Sequence, residues 1–413
     1  MLKNNEVEKA SLRLFAACWV SYMVISLSKS AYSASIASIV QEGIFDKPQA
    51  GLINAAYWAI YATAQLVGVK AINRISPIKF IAMALGGTAL VNLGMAMSDS
   101  FGMMLFFWSL CGLLQFATWP AIVRILVECL DDAHKQRAMV FISFAQCAGF
   151  LVNYLSAALV LNFARWNMIF VVSMVALVAT LAFWLYTTAK NVPILAKNDL
   201  SDKKLKQKEA DTNIKQGKLI LTSGIFFILI PAFIRGALDN GLKAWIPTMI
   251  TESYGVSASF SNILTVVLLV INLSGVFICS FLYPKRIKNI FVALAICFAS
   301  VVPMTVALLF IGEMPLVLVV LLLTAMTTMT YAGYQMVFVI IPAKVSATGK
   351  AGGLASVLNA CSSFGVLAAS YGFGYLAEYT GWTGTVTTWI IMASVAMICC
   401  LAGSSKWQKF TNK

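Results

Sequence analysis

Residues 14–40 read LFAACWVSYMVISLSKSAYSASIASIV, an apolar run interrupted by one ionised side chain, Lys29. About 20 apolar residues in a helix suffice to cross a bilayer's hydrocarbon core, so this stretch decides the fold class as helical and membrane-spanning. An ionised group near the bilayer centre costs roughly 2.5–3.5 kcal/mol on insertion scales and normally faces a protein interior or a solute path. Lys29 is therefore a candidate functional residue.

Outward from this run, similar stretches recur to the end of the chain. Hydrophobic residues make up 60% of the 413 positions and charged residues 11%, with a mean hydropathy of +0.84. Breaks at charge clusters and at Gly, Pro and Asn place spans near 13–40, 49–72, 78–98, 102–127, 136–162 and 166–189. A second set falls near 218–250, 257–283, 289–311, 315–342, 350–377 and 382–403. Between them, residues 190–217 carry Lys203, Lys204, Lys206 and Lys208 with Asp199, Asp202, Glu209 and Asp211, too polar to bury. The expected organisation is a six-helix bundle over 1–189, a cytoplasmic linker over 190–217 and a second six-helix bundle over 218–413. The fold class is an all-α membrane protein with twelve transmembrane helices in two pseudo-symmetric bundles. The first run lacks a small-residue cleavage site and holds Lys29, so it reads as a retained span and not as a signal peptide.

The formal net charge is +14. Its distribution explains it: with both termini cytoplasmic, Lys3, Lys9, Arg13, Lys70, Arg74, Lys79, Lys135, Arg137, the linker lysines, Lys285, Arg286, Lys406 and Lys409 fall on the cytoplasmic side. The opposite loops hold Glu42, Asp46, Asp99, Glu252, Glu313 and Glu378, with Lys47 and Arg165 as basic exceptions. This asymmetry satisfies the positive-inside rule and argues for a multi-pass protein of the cell (inner) membrane, without a nucleic-acid partner. The nine cysteines form no CxxC pair, and His134 is the sole histidine. With no paired carboxylates, phosphate loop or nucleophile motif, no catalytic residue, metal or cofactor is expected, and the chain does not read as an enzyme.

Charges left inside the spans are Lys29, Arg124, Arg235, Asp239 and Lys243. Arg124 lies near the cytoplasmic end of the fourth span, where it can snorkel as an anchor or serve as a gate contact. Lys29 stands 16 residues beyond Arg13, and Arg235 stands 17 beyond Lys218. At 1.5 Å per residue both sit roughly 25 Å along pseudo-equivalent helices. Two cations at one depth, facing one cavity, would make an anion site. Asp239, four residues after Arg235 and four before Lys243, offers the competing explanation of internal pairing. With all four groups ionised the set carries +2, the complement of a phosphate monoester. Gly236, Asn240, Gly241 and Pro247 predict a bent or broken seventh helix. Tyr22 and Tyr32 share the face of Lys29, while Gln65, Gln146, Asn153, Tyr331, Tyr334, Gln335 and Asn359 punctuate other spans, as lining groups or as interhelical hydrogen bonds.

Cys111-Gly112, Gln115, Trp119-Pro120 and Arg124 resemble the fourth-span signature of the organophosphate:phosphate antiporters, which include glycerol-3-phosphate and hexose-phosphate transporters, within the major facilitator superfamily. Asn73-Arg74-Ile75-Ser76-Pro77 is similar to the family's Asp-Arg-x-x-Pro turn, with Asn73 replacing the acid. Gly381-Trp382 also matches. The resemblance implies the major facilitator fold and a monomer. It places Lys29 where the family has a substrate-binding Arg, Tyr22 on a family Tyr and Arg235 on the seventh-helix Arg, with the register around Trp245-Ile246-Pro247-Thr248 about one turn longer. Gln65 and Trp119 join the expected substrate lining, Gln65 standing where some members have Lys and Ala148 where they have His. Arg74 and Arg124 are the expected gating residues.

The sequence thus points to a secondary transporter of a small organic anion, with a sugar phosphate or other phosphate ester as the charge match. Alternatives are a proton-coupled carrier of another solute, using Asp239, and a transporter-like membrane sensor.

Overall fold

The computed structural model describes residues 2–67, 75–129, 132–196, 224–345 and 351–411. The described residues are helical and form twelve spans. In chain order these are Leu2–Gln41, Lys47–Val67, Pro77–Ala96, 101–129, Asp132–Val160, Met168–Ala196, 226–254, Ala258–Arg286, Ile290–Phe310, 316–344, Ala351–Tyr379 and Gly381–Thr411. Nine of the described helices are long and apolar enough to cross a membrane. The seventh span is not among them because Arg235, Asp239 and Lys243 lie within it. A helix satisfies its own backbone, which is what hydrocarbon demands of a spanning segment. Leu90, Phe106, Val175, Val317, Ile391 and Ile398 are exposed, as expected of lipid-facing side chains.

Several spans depart from regular helix, among them the fourth and the seventh at proline and glycine positions. The fourth is two helices, Phe101–Gln115 and Thr118–Cys129. Pro120 explains the interruption: it has no N–H, and its ring crowds the carbonyl four residues earlier, that of Phe116. The freed Phe116 carbonyl accepts a hydrogen bond from Gln65 Nε2 at 3.4 Å. In the seventh span the expected bend or break takes another form. The chain stays helical and widens into a π segment, Ala237–Gly241, between Phe226–Gly236 and Leu242–Tyr254. Such π-bulges accommodate an extra residue and recur at functional sites. Here the widened turn carries Asp239.

The chain forms two compact units, Met1–Ser35 with Thr63–Lys206, and Ile36–Ala62 with Gln207–Lys413. The last residues of the first span and most of the second therefore pack within the second unit. The first unit's core gathers Leu14, Ala17, Ile25, Ile81, Leu85, Ile122, Ile125 and Trp184. The second buries Trp245, Phe291, Phe298, Met326, Leu358 and Trp389. Lipid is as apolar as leucine, so helices here associate through close packing at small residues. A Cβ at Gly149 would collide with the Met23 carbonyl in the first unit, and one at Gly236 with the Ser362 carbonyl in the second. Of the expected features, residues 68–74, which include Asn73 and Arg74, and residues 197–223, which include most of the expected linker and the expected start of the seventh span, lie outside the described residues.

Candidate functional site

In the first unit the candidate residues follow one helix register. Lys29 is half-buried on the first span. Its neighbour Ser28 accepts a hydrogen bond from Asn92 Nδ2 of the third span at 2.8 Å, and Ser30 Oγ donates to the Leu27 carbonyl at 3.0 Å. The bond from Asn92 ties the rotation of the helix that carries Lys29 to the third span. The fourth span runs antiparallel alongside. Tyr32 packs on Trp108, with ring centroids 5.5 Å apart, and Tyr22 packs on Trp119 at 5.2 Å. Positions 111, 115 and 119 are one helical turn apart, so the fourth-span motif presents one face to the helix of Lys29. Gln115 Nε2 donates within that face to Cys111 Sγ at 3.4 Å. Tyr22 and Trp119 are half-buried, whereas Tyr32 is fully buried in the helix contact. Arg124 is half-buried further along the fourth span.

In the second unit three charges on one helix share a buried site. Asp239 bridges its neighbours, its Oδ2 paired with Arg235 Nη2 and its Oδ1 with Lys243 Nζ. All three are buried, with relative exposures of 5%, 2% and 9% for Arg235, Asp239 and Lys243. Removing ions from water is costly, and a buried pair repays that cost only with close geometry and further contacts. The further contacts come from the tenth span. The Arg235 guanidinium lies 4.6 Å from the Tyr334 ring centroid and 5.5 Å from that of Phe338. Those rings belong to a stack, Tyr331 on Tyr334 at 5.7 Å and Tyr334 on Phe338 at 5.0 Å. A guanidinium is planar and weakly hydrated, so it can lie against aromatic faces where an ammonium would hold its water. Arg235 Nε is buried without a hydrogen-bond partner among the described residues.

The sequence singles out Arg235, Asp239 and Lys243 and marks Tyr331 and Tyr334, but not Phe338 or the stacking on Arg235. The signal was available: 331, 334 and 338 are spaced to share a helix face. Tyr57, Trp58 and Tyr61 form a further ring cluster on the second span, with Tyr57 and Tyr61 stacked at 5.8 Å.

A membrane-spanning bundle with cations held inside its spans is the build of a solute carrier. The chain belongs to the Major Facilitator Superfamily, whose family model matches residues 18–368, and it is a multi-pass membrane protein. Solved structures with a similar fold include a bacterial homolog of the human lysosomal transporter Spinster, inward-facing and occupied (TM-score 0.73, 13% identity, covering 96% of this chain and 97% of that one). The nucleoside transporter NupG is also similar (TM-score 0.70, 15% identity, 96% and 99%), as is the D-xylose-proton symporter (0.69, 13%, 95% and 97%). Among curated proteins, a probable hexose phosphate transport protein of Chlamydia pneumoniae is 25% identical over 117 residues, 28% of this chain and 26% of the relative. Its counterpart in Chlamydia trachomatis serovar D is 21% identical over 124 residues, 30% and 27%. The chain thus aligns with about a quarter of the length of these relatives.

Proposed function

We propose that the solute is a small organic anion, with phosphate esters such as sugar phosphates as the leading class, carried by alternating access. The observation that carries this reading is Arg235, a buried guanidinium with Nε unpartnered among the described residues. An anion oxygen would satisfy that donor, and a planar fork suits phosphate or carboxylate. Lys29 supplies the second cation; as a point charge it places less demand on the geometry of the anion than an Arg would. Lys243 adds charge, and Asp239 tunes or releases the cations as the solute binds. The partial likeness to hexose phosphate transport proteins supports the same class. Binding would offset the repulsion among cations and shift the population between inward-open and outward-open states. The positive-inside distribution supports cytoplasmic termini in an inner membrane, and the family resemblance supports a monomer. Arg74 and Arg124 are retained as gating residues.

The test is a melting screen of purified protein against phosphate esters, inorganic phosphate, carboxylates, neutral sugars and hydrophobic cations. Ligand at 100 times its dissociation constant stabilises by roughly 2.7 kcal/mol, which a melting curve resolves. Stabilisation by an anion that disappears in Lys29→Ala and Arg235→Ala is the expected result. Stabilisation only by neutral or cationic compounds, unchanged in both variants, would overturn the proposal. Asp239, buried between two cations, is also the group a proton-coupled carrier would use. Asp239→Asn then separates the two readings, abolishing proton-driven transport but leaving anion exchange.

A further inference from the structure

The second unit carries an apolar recess that the charged triad of the seventh span does not use. Its eighth span meets the tenth closely at Gly275, where a Cβ would lie 2.7 Å from the Thr328 carbonyl oxygen. Beyond that contact lies a groove of about 450 Å³, lined by Phe277, Ile278, Phe281 and Leu282 of the eighth span, Ile296 of the ninth and Met329 of the tenth. Phe277, Phe281 and Ile296 are exposed, so the groove is open along its length. Ser300, also in the lining, donates its hydroxyl to the Cys297 carbonyl at 2.8 Å, which leaves the walls apolar.

The chain places positive charge at the mouth of this groove. A residue before proline is pushed out of helical backbone, and Tyr283, which precedes Pro284, is extended at φ −125° and ψ 132°. The eighth span unwinds there. The turn that follows holds Lys285, Arg286 and Lys288, all exposed, before Asn289 caps the ninth span by accepting the Phe291 N–H at 3.0 Å. The Arg286 guanidinium lies 5.3 Å from the centroid of the Phe281 ring, so it joins the apolar wall to the basic turn. Asn289 Nδ2 donates to the Ser404 carbonyl at 3.0 Å, which sets the turn at the end of the unit where the twelfth span finishes. Between Gly275 and Thr411 the carboxylates are Glu313 and Glu378, one between the ninth and tenth spans and one at the end of the eleventh, both at the other end of these helices. Among the described residues none of Lys285, Arg286 and Lys288 is paired with a carboxylate.

Cations beside an apolar recess between spans are the chemistry that recognises an anionic phospholipid. Free phosphate would leave the groove unused, and a neutral lipid would leave the cations unanswered. We propose that this groove, with Arg286 at its mouth, binds one anionic phospholipid, its phosphate held by Arg286 with Lys285 and Lys288 and one acyl chain lying along Phe277, Phe281 and Ile296. The planar fork of Arg286 can take two phosphate oxygens at once, and the lysines add charge. The site lies outside the triad and is independent of which solute the protein carries.

The test is native mass spectrometry of the full chain in detergent, titrated with dioleoylphosphatidylglycerol or with phosphatidylcholine of the same chains, reading the dissociation constant of the first bound lipid. Each basic residue near an anionic lipid surface contributes about fivefold in affinity. The parent should bind phosphatidylglycerol at least about tenfold more tightly than phosphatidylcholine. Arg286→Gln should weaken phosphatidylglycerol about fivefold and leave phosphatidylcholine unchanged, with Arg286→Lys losing less. Lys409→Gln, at the same end of the unit, should change neither, and Ile296→Trp, which fills the groove, should weaken both. Glycerophosphoglycerol, the headgroup without its chains, and inorganic phosphate should fail to displace the lipid at equal concentration. The substituted side chains are all exposed, so the fold is expected to survive each change. Equal affinity of the parent for the two lipids would overturn the proposal. So would an Arg286→Gln or Ile296→Trp variant that binds phosphatidylglycerol as the parent does, a Lys409→Gln loss as large as that of Arg286→Gln, or displacement by headgroup or phosphate alone.

Discussion

The two units hold charge inside their spans in opposite ways. The first carries Lys29 half-buried among serines, with the carboxylates of its own span, Glu6 and Glu8, more than 20 residues earlier. The second holds two cations on one carboxylate and lays Arg235 against two aromatic rings. Each arrangement leaves one net positive charge within the spans of its own unit, Arg124 near a span end aside. The difference teaches that pseudo-symmetry preserves the charge of a site more readily than the way that charge is supported. In the second unit each charged group depends on its neighbours, and in the first the lysine sits on an otherwise ordinary helix.

This contrast predicts a steep order of mutational effects. Asp239→Ala should be the most damaging, because it leaves two buried cations against each other. Breaking a buried pair by removing one partner typically costs about 3–5 kcal/mol, so thermal melting should fall sharply, with Asp239→Asn falling less. A melting temperature close to the parent's would mean that the triad is solvated and that the contrast is mistaken.

Next come the glycine contacts, which should affect both units alike. Gly236→Ala and Gly149→Ala each drive a methyl group into a backbone carbonyl. Overpacking of this kind costs about 1–3 kcal/mol. Equal losses in the two would show that packing is symmetric where charge support is not; a loss in Gly236→Ala alone would extend the contrast to packing.

Tyr334→Leu removes a ring beneath Arg235, while Trp119→Ala removes the partner of Tyr22. Aromatic pairs are worth about 0.5–1.5 kcal/mol beyond their burial. The second unit's variant should therefore weaken anion binding as well as stability, read as a higher dissociation constant in titrations, and the first unit's should alter stability mainly. Lys29→Ala should show the smallest change in melting, under about 1 kcal/mol, since the charge removed was itself costly to hold in the membrane. A loss as large as that of Asp239→Ala would place Lys29 in a supporting network like that of the second unit.

Much of this was legible in the sequence because a membrane imposes few solutions. Long apolar runs yield spans, and the rarity of charge within them singles out Lys29, Arg235, Asp239 and Lys243. The spacing of Asp239 from its neighbours anticipated the triad directly. What the sequence did not yield depends on how helices rotate and cross. The fourth-span motif was visible as a signature, but its use as a single face toward Lys29, with Gln65 on the carbonyl freed by Pro120, required the antiparallel register. Tyr32 shares a helical face with Lys29 and yet is buried against Trp108, because three residues along a helix also change depth. Proline and glycine in the seventh span signalled irregularity without saying whether it would be a break or a π turn. Lys47 looked like an exception to a charge rule, and its partners, Glu252 and Glu378, lie about 200 and more residues away in sequence, beyond the reach of any local pattern.

The central claim, that the cations of both units serve an anionic solute, is tested most directly by exchange in proteoliposomes. Vesicles loaded with inorganic phosphate would be given a labelled sugar phosphate, with Lys29→Ala and Arg235→Ala in parallel. Saturable uptake by the parent, lost in Lys29→Ala while its melting temperature stays within a few degrees of the parent's and lost likewise in Arg235→Ala, is the predicted result. Uptake of the free sugar instead, at rates that both variants retain, would contradict it.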